Sequence, residues 1–220
     1  MWQTARMRPI TPRVLAAMPD ALSATVFLWA WIDPAKIGGP ARVKNLMLTM
    51  LFEFIVMHSS AMIGSMVISD MSRSGKFLGM AGLSAVYLLF VLAFAAAFSS
   101  SWPIWVFAWL FVCRFWYLLA NRTTSEDAAK RMQAGWAISA GAYLAGCFIT
   151  LFLPLPRLAI TPEFVTAMQF PHGMSGDWVD HPWKVLAFGA LYFGVMAWSK
   201  FNELGLPAPA DTPQPGKAAA

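Results

Sequence analysis

The chain has 220 residues, of which 58% are hydrophobic and only 12% charged, and it carries a formal net charge of +5. A soluble domain carries about a quarter charged residues, so a water-clothed globule is excluded. Apart from Arg114, the 16 Lys and Arg residues stand toward the ends of apolar runs or between them and form no single patch, which argues against a nucleic-acid partner and makes them topology signals.

Apolar segments at about 14–32, 46–68, 77–98, 102–120, 132–153 and 184–201 each approach the roughly 20 residues a helix needs to cross hydrocarbon. The sequence therefore predicts an all-α, polytopic integral membrane bundle of six transmembrane helices over residues 1–204. Residues 205–220, rich in Pro and Ala, cannot bury a core and are expected to be a disordered tail.

The first segment follows Arg6, Arg8 and Arg13 in the manner of a signal peptide, but its apolar residues run on to Trp31 without a small-residue cleavage site, so it is read as retained. Pro19 removes a backbone donor there, and Asp20 is costly in hydrocarbon unless it faces protein or the interface. A five-span protein with an interfacial first helix is the alternative.

The second segment carries the sharpest functional signal. Glu53 and His58 lie inside an otherwise apolar, Met-rich run, and an ionisable group at that depth costs several kcal/mol unless it is paired or faces a polar cavity. At about 100° per residue, Met47, Met50, Glu53, Phe54, Met57, His58 and Ser60 share an arc of roughly 160°. Glu53 and His58 are about 140° apart on the helix, so they flank one groove without pairing, and each needs a partner from another helix. Met50, Met57 and His58 are also the thioether and imidazole donors a Cu(I) ion would take, although their spacing matches no motif and no cofactor is expected.

The third segment, Phe77 to Phe98, carries no charge. The fourth holds Arg114, the natural counter-ion for Glu53, which could instead snorkel to the headgroups past Tyr117 and Asn121. Cys113 and Cys147 each lie in an apolar run and suggest neither a disulfide framework nor a zinc motif. Between the fifth and sixth segments, Thr161-Pro162-Glu163 has the cap, first-turn Pro and acid of a helix start, predicting a short interfacial helix toward Phe170. After it come His172, Asp177, Asp180 and His181, outer-loop candidates for binding whose spacing fits no metal motif. Trp102, Trp105, Trp178 and Trp183 fall near predicted outer ends, and Trp136 and Trp198 near inner ones, as expected of headgroup anchors. Gly75 with Gly79, and Gly189 with Gly194, mark places where helices could approach closely.

Short cytoplasmic loops collect positive charge. With the amino terminus inside, ten Lys and Arg residues fall inside against five outside, which favours both termini in the cytoplasm of a bacterial cell. Lys36, Arg42 and Lys44, in the first outer loop, run against this rule. The expected function is binding or movement of a small solute or proton through a groove formed by Glu53, His58, Arg114, Met50, Met57 and Ser60. The alternative is a structural or assembly subunit, joined to a membrane-protein partner or a second copy, in which the same residues act as interhelical polar glue. No acid, base and nucleophile set converges on a known pattern, so an enzyme is not expected.

Overall fold

The computed structural model describes residues 10–69, 71–105, 107–108 and 126–202. Most of the fourth apolar segment and the expected tail at 205–220 lie outside the described residues. The protein is all-helical, with 82% of residues in helix and no strand among the described residues. Helix α1 spans Ile10–Ile32, α2 Gly39–Ile68, α3 Arg73–Ala97, α4 Glu126–Phe152, α5 Pro162–Ala167, α6 Asp177–Asp180 and α7 Pro182–Phe201. A helical turn also begins at 102–105. Three stretches are long and apolar enough to cross a membrane: Arg13–Ile32, Ser74–Ala97 and Gln133–Phe152.

Pro19 does not break α1, which runs unbroken through it. The turn into α2 is compressed into a 3-10 helix at Pro34–Ile37 followed by Gly38 and Gly39, with φ of 107° and 73° that only glycine adopts without strain. Helix α2 consequently starts several residues ahead of the apolar run that announces it. Ser72 caps α3, its hydroxyl accepting from the Gly75 amide at 3.2 Å.

The helices pack antiparallel around α2 and α7. Phe27 of α1 meets Phe193 of α7 with ring centroids 5.6 Å apart, while Asp20, two turns away, pairs with Lys200. Ser139 of α4 bonds Tyr192, and Lys184 at the start of α7 donates to the Leu151 carbonyl at the end of α4. Helix α2 is buried on two sides. Val43, Met47, Met50 and Met57 join Phe27, Tyr143, Phe188 and Tyr192 in the main core, whereas Phe52 and Ile55 form a second core with Val91 of α3. Most of α3 points outward, with Leu78 at 73% and Leu89 at 67% exposure, an apolar surface too extensive for water.

Residues 153–181 fold over one end of the bundle. The predicted helix start at Thr161 is present: its hydroxyl accepts from the Phe164 amide, and it holds the exposed Glu163 carboxyl below its ordinary value. The helix stops at Ala167, short of Phe170, because Gln169 turns to a positive φ of 51°. Trp31 donates to the Pro156 carbonyl, Lys44 to the Gln169 carbonyl while lying over the Phe170 ring, and Arg157 stacks 4.8 Å over Trp183. Lys36, which likewise broke the charge rule, pairs with Asp33 at 3.0 Å. Trp183 is therefore not a headgroup anchor: it is 6% exposed, sealed under Arg157 and against His181. Trp105 and Trp198 do face outward.

Candidate functional site: a buried carboxylate chain

Glu53 stands in the middle of α2, partly buried where α2, α4 and α7 converge. Tyr192 of α7 donates its phenol to Glu53 Oε1 at 2.7 Å. The Ser139 hydroxyl of α4 lies 2.7 Å from the same phenol oxygen. An ionised carboxylate only accepts, and tyrosine has a single O–H, so the chain must run Ser139 to Tyr192 to Glu53. Once Glu53 takes up a proton it can donate, and the chain can reverse its direction without any heavy atom moving. Such a hydrogen-bonded chain can carry a change of charge while its geometry holds.

Neighbouring rings fix this geometry. Tyr143 packs edge-on against Tyr192 with centroids 5.5 Å apart, and its own hydroxyl donates to the Met50 carbonyl at 2.9 Å. Tyr192 is further clamped by Phe193 at 5.1 Å. Two turns along α7, Lys200 pairs with Asp20 of α1, and both charges lie within electrostatic reach of Glu53. The pair explains how an acid is tolerated within the first apolar segment.

The structure divides the residues that the sequence grouped. His58 turns to its own helix, with Nδ1 3.0 Å from the Phe54 carbonyl oxygen and its ring 4.1 Å from the Phe54 ring, and does not touch Glu53. Met47, Met50 and Met57 are core side chains. Arg114, and the side chain of Ser60, lie outside the described residues. The sequence reading passed over Tyr192, Ser139, Asp20 and Lys200 as partners. The signal was available in part, since a phenol in the middle of an apolar segment needs an acceptor and the chain has only 4 Tyr.

Of the outer-loop candidates, Asp177, Asp180 and His181 form a clamp, whereas His172 is exposed. Asp177 accepts from Lys184 at 3.0 and 3.2 Å and lies 3.0 Å from His181 Nδ1, while Asp180 Oδ2 accepts from the Gly176 amide. Because Lys184 also holds the Leu151 carbonyl, this knot fastens the loop to the orphan carbonyls at the end of α4. Among the described residues no three His, Cys, Asp or Glu side chains come together as metal ligands.

No protein-family model matches this chain, and neither a curated protein nor a solved structure is similar to it.

Proposed function

We propose that the chain is a six-span protein of a bacterial cytoplasmic membrane, with both termini in the cytoplasm, that binds or moves a small solute or proton at Glu53. The observation that carries this reading is the Ser139–Tyr192–Glu53 chain, a carboxylate placed at mid-helix that accepts from a phenol itself tied to a second hydroxyl. Helix α2 with 30 residues and α7 with 20 are long enough to cross alongside the three stretches most suited to it, which makes five, and the sixth is the fourth apolar segment, most of it outside the described residues. Reporters fused after Met71, Ser125 and the carboxy terminus should all report the cytoplasm; a single external one refutes the topology.

The functional part is tested at Glu53. Glu53→Gln keeps shape and an acceptor for Tyr192 but removes the charge. It should fold with near wild-type stability and abolish a component of the pH dependence of the detergent melting temperature. The second reading, a structural or assembly subunit, draws on the same network being closed on itself as polar glue. An unchanged pH profile in Glu53→Gln, alongside a damaging Glu53→Leu, would favour that reading and sink the first.

A further inference from the structure

We infer that the Glu53 cluster communicates with one side of the membrane only, the side at which α7 ends, by a route past Met196 and the Asp20–Lys200 pair. The inference rests on the reading of this cluster as a solute or proton site and adds its direction of access.

The two ends of the bundle differ in kind. Toward the loop-covered end, the residues one and two turns beyond the cluster are Met50 and Met47 on α2 and Phe188 and Val185 on α7, all at 2% exposure or less. Phe27 of α1 fills the remaining space, at 1% exposure. Beyond them lie Ile160, Met168 and Trp183 of the loop and its junction with α7, all in the same core. This is a close-packed apolar plug, and such packing holds no water. Above it, the loop is fastened by Trp31, Lys44 and Lys184.

Toward the other end Met57 of α2, one turn beyond Glu53, is still buried at 5%, but the packing along α7 loosens and a charged pair takes the place of apolar side chains. Met196 and Lys200 follow Tyr192 at four and eight residues, so all three lie on one face of α7, the last about 12 Å farther along the axis. Met196 is only partly buried and belongs to the edge of the core. The Lys200 side chain is 43% exposed and its partner Asp20 14%, so the ion pair reaches the protein surface near the end of α7. Ser139, at the middle of α4, is partly buried, and Trp136, about one turn toward this end, is exposed at 39%. A flexible thioether beside a partly exposed ion pair can admit a small polar species. A plug of fully buried Met and Phe cannot.

Cysteine accessibility tests this without knowledge of the solute. In a background of Cys113→Ala and Cys147→Ala, Ser139→Cys, Met196→Cys and Met47→Cys are each exposed to a membrane-impermeant thiosulfonate in right-side-out and in inverted vesicles. Ser139→Cys and Met196→Cys should label from the Lys200 face, with loss of labelling when the reagent is confined to the Trp183 face. Met47→Cys should stay unlabelled from both. Labelling of Ser139→Cys from both faces, or from the Trp183 face alone, overturns the one-sided route yet leaves Glu53 as a reachable site. Absence of labelling at Ser139→Cys and Met196→Cys from either face overturns the route and the solute reading together. Should Ser139→Cys fail to fold, Met196→Cys against Met47→Cys decides the direction.

Discussion

A single methyl group at Gly189 is expected to cost the protein about 1–3 kcal/mol, read as a lowered melting temperature in detergent. A Cβ built on Gly189 overlaps the Phe27 ring and comes within 2.6 Å of its Cγ. Phe27 has no room to yield, because it is 1% exposed and lies against Phe193. The overlap would force α1 away from α7, and with it the Asp20–Lys200 pair. Gly194 supplies the control. A Cβ there meets nothing within 4 Å, so Gly194→Ala should be neutral or stabilising by the helix propensity gained, roughly 0.5–1 kcal/mol. Replacing the ring in Gly189→Ala/Phe27→Leu should recover part of the loss. Equal stability of the two single alanine variants would show that α1 and α7 do not approach as described.

Much of the helical plan was readable from apolar run lengths, because a stretch such as Phe77 to Phe98, without a charge, has few other fates. Helix ends were less legible. Helix α2 begins at Gly39 because Pro34, Gly38 and Gly39 make a tight turn, a local backbone property that a hydropathy reading does not register. Glu53 stood out in the sequence because its cost in hydrocarbon is intrinsic to the residue. Its partner did not, since Tyr192 is 139 residues away and periodicity on α2 says nothing about which helix faces it. Pairing by charge points to Arg114, which lies outside the described residues; the partner among the described residues is a phenol. Asp20 and Lys200 illustrate the same gap: Asp20 reads as a costly acid within the first apolar segment and Lys200 as a charge on the inner side, and only the antiparallel packing of α1 and α7 brings them together. Gly189 was marked for close approach, but the neighbour it makes room for is an aromatic ring.

The organisation of the cluster around Glu53 is tested most directly by a double-mutant cycle of Glu53→Gln and Tyr192→Phe, followed by thermal stability in detergent. Tyr192→Phe retains the ring packed against Tyr143 and Phe193 and removes only the hydroxyl that serves Glu53 and Ser139. A hydrogen bond to a charged group is worth about 1.5–3 kcal/mol. Tyr192→Phe should therefore be costly beside the native carboxylate and much less so in the Glu53→Gln background, where the acceptor is a neutral amide. The predicted coupling is the excess of a charged over a neutral hydrogen bond, about 1–1.5 kcal/mol, at a pH where the carboxylate is ionised, falling when the pH is lowered enough to protonate it. Additivity to within about 0.3–0.5 kcal/mol at every pH would contradict the account, since it would mean that the phenol and the carboxylate do not share a bond.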